Sequence, residues 1–325
     1  SHDTPPERSR AASSAGARAC AGLLCSRLMN LLQQLNELQA EHGWLPEEVL
    51  RAFSAETKTP LFRIQEVASF YPHYRLSPPP KATVSVCRDA ACHIDGGPAY
   101  LAAIRDGLAD QPDVEVHEVS CLGRCEHAPA ACVNEVPVGG YDAARVVRAA
   151  RGAEALPADE PTDAPRSWPT DPYAGPDEHY GVLRSWLAKP ADEMRDLPDQ
   201  VVASGLRGMG GAGFPMGLKA RFVRDEVSDV KYVICNADES EPGAFKDRVI
   251  LEELPHLVIE GMLLACLVVG GTNATVYIRH EYVRERKAIE REIERVRTLG
   301  LTETIGVDLS VFVSPGGYIL GEETA

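Results

Sequence analysis

The chain has 325 residues, 44% of them hydrophobic and 25% charged, with a formal net charge of −15. That length accommodates two or three domains of ordinary globular composition, with no need of covalent staples. The acidic balance excludes nucleic acid as the main partner, since phosphate binding needs clustered Lys and Arg. The longest apolar stretch, 257–271, contains Glu260 and is too short to insert directly into a membrane. It reads as a buried helix.

In chain order, residues 1–25 read as a disordered tail. Its Arg-, Ala- and Ser-rich part mimics a transit peptide. Residues 26–80 read as a helical subdomain. Leu28, Leu31, Leu32, Leu35 and Leu38 recur at helical spacing, a second helix begins at Pro46, and a third near Pro60 carries Leu61, Ile64, Val67 and Phe70. After Pro78–Pro80 the pattern becomes α/β over 81–152. It predicts strands at 82–86 and 114–119, a helix over 98–108, a hairpin at 133–138 and a closing helix over 142–150. Residues 153–178 carry six prolines between Pro157 and Pro176, with many acids, and read as a linker. From 179 to 325 helices alternate with strands at 232–235, 275–278 and 309–313, and an amphipathic helix covers 283–297.

Nine cysteines are present. Cys87 and Cys92 form C-x4-C after the first strand, and Cys121 and Cys125 form C-x3-C after the second. Two strand ends can bring four thiols to one sheet edge, and four thiolates suit zinc or an iron–sulfur cluster. Zinc favours tighter knuckles, whereas the longer loops suit a two-iron centre at least as well. Gly123 permits a turn that could aim N–H groups at sulfur. Cys20 and Cys25 read as incidental, and Cys132 as a strand residue close enough to serve as a spare ligand. Cys235 and Cys266 read as core residues, and His93 and His127 as neighbours of the site.

The run from Gly205 to Gly217 holds six glycines in thirteen residues, and Gly208, Gly210 and Gly213 match G-x-G-x-x-G. A dinucleotide fingerprint needs a buried strand before the first glycine. Here the preceding residues read as a helix end stopped by Gly205, and Pro215 opens the next helix. A phosphate-cradling loop of another design is expected. A second motif, Asn236-Ala-Asp-Glu-Ser-Glu-Pro-Gly243, crowds an amide and three carboxylates at a strand's end, where open α/β sheets bind ligands.

Together with Phe245-Lys-Asp-Arg248 and Tyr318-Ile-Leu-Gly-Glu-Glu-Thr324, these motifs resemble the 51-kDa-type, flavin-binding subunit of NADH dehydrogenases. Relatives include complex I and the diaphorase subunits of NAD-reducing hydrogenases and NAD-dependent formate dehydrogenases. The first segment resembles the 24-kDa-type subunit through Glu66-Val-Ala-Ser-Phe-Tyr71 and the cysteine spacing. The joined pair resembles fused diaphorase subunits. The resemblance implies a helical bundle, a thioredoxin-like 2Fe–2S domain and an α/β FMN-binding domain that is Rossmann-like but non-classical. It implies that Gly208, Gly210, Gly211, Gly213 and Lys219 hold FMN, and that Asn236, Asp238, Glu239, Tyr318, Gly321 and Glu322 line it. Phe214 and Phe222 would stack on the adenine of NAD(H), and Glu241 and Glu323 would contact the dinucleotide during hydride transfer to flavin. Cys87, Cys92, Cys121 and Cys125 would bind the 2Fe–2S cluster.

The partners implied are NADH or NAD, other iron–sulfur subunits, and a catalytic large subunit of formate dehydrogenase, hydrogenase or complex I type. The setting implied is a cytoplasmic assembly. Met209, Ala220 and Leu320 depart from residues frequent in the family, which bears on flavin tuning and removes no backbone donor. The chain ends within the third motif, so a C-terminal truncation is expected, with the family's 4Fe–4S cluster in the part not present. The rival reading is a zinc- and nucleotide-binding module without redox chemistry.

Overall fold

The computed structural model describes residues 31–71, 73–156, 168–190, 193, 196–209 and 212–315. Two compact units divide at Pro79 and Pro80. In the first, a helix over 31–42 (α1) buries Leu31, Leu32 and Leu35. Helices Glu47–Thr57 (α2) and Leu61–Phe70 (α3) each follow a proline at the N-cap. Gln39 fixes the unit's closing turn, donating to the His73 carbonyl at 2.7 Å and accepting from the Arg75 N–H at 2.7 Å. Phe70, expected on the apolar face of α3, is exposed; the buried positions are Ile64, Ala68 and Tyr71. These follow the helical spacing from Ile64, which leaves Phe70 on the opposite side.

The second unit begins with β1 (Ala82–Cys87), helices α4 (Ala90–Ile94) and α5 (Gly97–Gly107), and β2 (Val114–Val119). The hairpin β3 (Ala131–Val133) and β4 (Val136–Pro137) and helix α6 (Ala143–Ala150) complete this part. The sheet order is β2-β1-β3-β4, with β1 and β2 parallel and the hairpin antiparallel to β1. Asp142 caps α6 by accepting from the Arg145 N–H at 2.7 Å. Helices α5 and α6 bury Leu101, Ile104 and Val146 with Val84, Val86 and Val133 of the sheet. Cys87 pairs in register with Val119, so both parallel strands end at the same edge.

Further along are helix α7 (Gly181–Leu187), α8 (Leu197–Ala203) and α9 (Met216–Asp225). They precede a parallel sheet of β5 (Tyr232–Ala237), β6 (Asn273–Arg279) and β7 (Asp308–Ser314). Between these strands lie α10 (Lys246–Glu253), α11 (Pro255–Val269), α12 (Val283–Thr298) and α13 (Leu301–Ile305). The core joins Ala274, Val276, Ile278 and Leu309 of the sheet to Ile259 and Leu263 of α11 and Ile289, Ile293 and Val296 of α12. Glu260, the carboxylate inside the apolar run, is buried because the Leu183 N–H donates to it at 2.9 Å and the Tyr173 hydroxyl at 2.7 Å. The proline-rich stretch expected as a linker is therefore fastened in its described part. Trp168 Nε1 donates to Glu253 at 2.6 Å, and His256 bonds Asp171 at 3.1 Å. No helix among the described residues is long and apolar enough to cross a membrane.

Candidate cluster and cofactor sites

The four cysteines converge. Cys87 closes β1, Cys92 sits in α4, Cys121 follows β2 and Cys125 opens a short 3-10 turn. The Cys121 and Cys125 sulfurs are 3.3 Å apart, and Cys87 interacts electrostatically with Cys121 and Cys92. Backbone donors surround them. The Gly123 N–H points to Cys121 Sγ at 3.4 Å and the Gly243 N–H to Cys125 Sγ at 3.2 Å. The expected turn at Gly123 thus delivers an N–H to sulfur. Its φ is +67°, and an added Cβ would lie 2.5 Å from the Tyr282 ring, so only glycine fits. Asp89, not singled out from the sequence, accepts from the Cys121 N–H at 2.6 Å and ties the two cysteine loops together.

The thiols behave as a coupled group. The sulfur contact with Cys87 draws Cys92 below its ordinary value against burial. The same contact, with burial, pushes Cys121 well above. Burial and the contact with Cys121 push Cys125 to about 11. For Cys87 the pull of Cys121 is outweighed by Cys92 and burial, giving about 11. Four crowded cysteine sulfurs, with backbone N–H groups directed at Cys121 and Cys125, are the donor set that a soft multi-iron centre takes up as thiolates. Cys132 lies in β3 within the same buried cluster, and burial drives its thiol far upward. His93 and His127 are exposed beside the site.

The glycine loop closes on itself. The Gly208 N–H donates to the Phe214 carbonyl at 2.8 Å, and Arg207 pairs in antiparallel fashion with Pro215. The Arg207 guanidinium also donates to the Gly213 carbonyl at 2.8 Å. Gly208, expected to offer an N–H to an anion, therefore uses that donor to shape the loop. Phe214 and Phe222 lie together, ring centroids 6.4 Å apart, and both are exposed, as is Lys219 on α9. Gly210, Gly211, Tyr318, Gly321, Glu322 and Glu323 lie outside the described residues.

The acidic loop leaves β5 at its C-terminal end, and its carboxylates differ in use. Glu239, expected to line the cofactor, instead starts α10. One oxygen accepts from the N–H groups of Asp247 and Arg248 at 3.0 and 3.3 Å and from the Tyr282 hydroxyl at 3.1 Å, and Lys246 takes the other at 3.2 Å. Asp238 is buried. Its Oδ1 accepts from Ser240, while its Oδ2 has no hydrogen-bond partner among the described residues. A buried acceptor in that state is costly unless a ligand supplies the donor. Asn236 and Glu241 are exposed at the same rim. Glu241-Pro-Gly-Ala244 makes a turn closed by the Ala244 N–H on the Glu241 carbonyl at 3.0 Å. Pro242 in second place and Gly243 at φ +90° in third give it the type II pattern, which turns the Gly243 N–H toward Cys125.

The cysteine site and the parallel-sheet region are joined by more than that turn. Arg124 faces Glu285 at 3.9 Å, and Glu126 is bonded by Arg248. Arg279, at the end of β6, donates to the Cys121 carbonyl at 2.5 Å. Burial lifts the Glu285 carboxyl above its ordinary range against the pull of Arg124. Residues Arg124, Arg279 and Tyr282 were not singled out from the sequence, and Arg248 entered only as the end of the Phe245-Lys-Asp-Arg248 motif. The available signal was position: Arg279 abruptly ends an apolar strand whose neighbour carries the acidic motif.

Two family models match separate parts of the chain. Residues 24–153 match the family model described as thioredoxin-like [2Fe-2S] ferredoxin, and residues 201–325 match the Nuo51 FMN-binding domain. The NAD-reducing hydrogenase HoxS subunit alpha of Cupriavidus necator is 31% identical over 91% of this chain and 54% of its own length. A subunit of the NADH-quinone oxidoreductase of Rhizobium meliloti is 43% identical over 45% of this chain and 35% of its own. The crystal structure of an air-oxidized NAD+-reducing [NiFe]-hydrogenase superposes with a TM-score of 0.69 at 32% identity, over 90% of this chain and 52% of that one. The chain thus spans about half the length, or less, of the relatives it matches. Residues 24–153 belong to the thioredoxin-like [2Fe-2S] ferredoxin family and residues 201–325 to the Nuo51 FMN-binding family, fused in one polypeptide.

Proposed function

We propose that this chain is an NADH:FMN oxidoreductase module whose electrons pass to a [2Fe–2S] cluster held by Cys87, Cys92, Cys121 and Cys125. When bound, FMN supplies two-electron exchange with a nicotinamide and one-electron exchange with iron–sulfur centres, so the protein's task is positioning. The observation that carries this reading is the Gly243 N–H on Cys125 Sγ, because it places the loop of the flavin domain directly against the cysteine site. Asp238 Oδ2, buried and without a hydrogen-bond partner among the described residues, suits a flavin side-chain hydroxyl. Asn236 and the glycine loop would frame the same ligand. Phe214 and Phe222 would hold the adenine, and Glu241, with Glu323, would meet the dinucleotide. The hydrogen bonds of Glu239 and Gly208 support a role for both in shaping these elements.

Relatives are named as subunits, and in their manner the chain would work beside a large catalytic subunit and further iron–sulfur subunits. A cytoplasmic setting fits the acidic, helix-and-sheet character of the chain. Anaerobic addition of NADH to the flavin-loaded protein tests the reading. Bleaching of the flavin band followed by appearance of a reduced-cluster EPR signal is expected. A flavin that stays oxidised with excess NADH would contradict it.

A further inference from the structure

We propose that Arg279, supplied by the flavin domain, is a positioning residue that raises the reduction potential of the four-cysteine site, with Glu281 opposing it. The inference rests on the [2Fe–2S] reading above. Arg279 is only 4% exposed, and its donors are all directed. Nε and Nη2 donate to Glu281 at 2.9 and 3.0 Å, Nη2 also reaches the Cys121 carbonyl at 2.5 Å, and Nη1 bonds the Glu239 carbonyl. One guanidinium therefore spans the peptide of a ligand-bearing cysteine and the acidic loop.

Reduction adds one electron to a site already carrying four thiolates. A fixed cation beside it, away from bulk water, stabilises the reduced form, and a fixed anion does the reverse. Both groups are ionised across the neutral range. The Glu281 carboxylate opposes burial through the charges of His280 and Arg279 and is held at about 2. Arg279 stays protonated despite burial because Glu281 pairs with it.

The pair is not symmetric toward the sulfurs. Arg279 directly reaches the Cys121 carbonyl, whereas the contacts of Glu281 are with Arg279 and His280. A buried ion pair serving only rigidity would give both neutralising substitutions the same kind of damage. An electrostatic role gives them opposite signs.

The test is an EPR-monitored redox titration of the whole chain with Arg279→Gln, Glu281→Gln and Arg279→Lys. Arg279→Gln is expected to disfavour reduction about tenfold, a 59 mV fall for a one-electron couple, and Glu281→Gln to raise the midpoint. Arg279→Lys, which keeps the charge, is expected to stay nearest to the parent. Shifts of the same sign in both neutralising variants, or no shift, would overturn the proposal. Should Arg279→Gln fail to assemble a cluster, Glu281→Gln decides alone: a higher midpoint supports the assignment and an equal or lower one refutes it. Absence of any cluster from the parent protein would instead defeat the underlying reading.

Discussion

The cysteine site and the proposed flavin side are built by opposite means. Four thiols, each one atom on a short side chain, meet where two parallel strands end, and nearby backbone N–H groups complete the setting. The proposed flavin side is spread over several loops: a backbone turn, two exposed aromatics and one carboxylate oxygen with no hydrogen-bond partner among the described residues. A soft-metal site needs a few atoms held close. A dinucleotide and flavin site needs a long surface contributed by many segments. Removing one atom should therefore abolish the first and only weaken the second.

The largest expected effect is Cys121→Ser, which should remove iron and sulfide and leave FMN content unchanged. Retained iron and sulfide by colorimetric assay would show the ligand set to be wrong. Next is Asp238→Ala. Losing a charged hydrogen-bond acceptor costs about 1.5–3 kcal/mol, so FMN affinity should fall roughly 10- to 100-fold in a fluorescence titration. An unchanged affinity would mean that the buried oxygen faces no ligand.

Gly123→Ala tests the seam between the two regions. With φ at +67° and Tyr282 in the way, it should cost about 2 kcal/mol in denaturant unfolding. A neutral result would show that Tyr282 can yield.

The smallest effect concerns the flavin side alone. Burial, then the nearby charges of His256 and Arg295, hold His179 below its ordinary 6.5, and Arg295 donates to its Nδ1 at 2.9 Å. Its folded value being the lower one, the unfolded chain takes the proton first as pH falls. This contribution is present above 6.5 and is lost between there and the folded value. His179→Gln should flatten the fall in Tm over that window by about 1–3 °C. An identical slope in parent and variant would remove His179 from the account.

These contrasts also explain what could be read from the chain. The strand ends at Cys87 and Cys121 were legible because alternating apolar residues and cysteine spacing are local patterns. The turn at Gly123 was legible because glycine between two cysteines has few other uses. Phe70 misled because it is apolar and follows Val67 by three, whereas the buried face runs from Ile64 through Ala68 to Tyr71. Glu239 misled for a deeper reason. Four polar residues in one loop look equivalent in sequence, yet only the fold decides that Glu239 starts a helix while Asp238 is left open. Likewise Arg279 lies 158 residues from Cys121, so the contact between them exists only in three dimensions.

The most direct measurement is metal, sulfide and flavin analysis with EPR on anaerobically purified protein. The expected result is a coloured protein with two irons and two sulfides per cluster and a reduced-state EPR signal lost in Cys121→Ser. A colourless protein holding stoichiometric zinc at the four cysteines would contradict it.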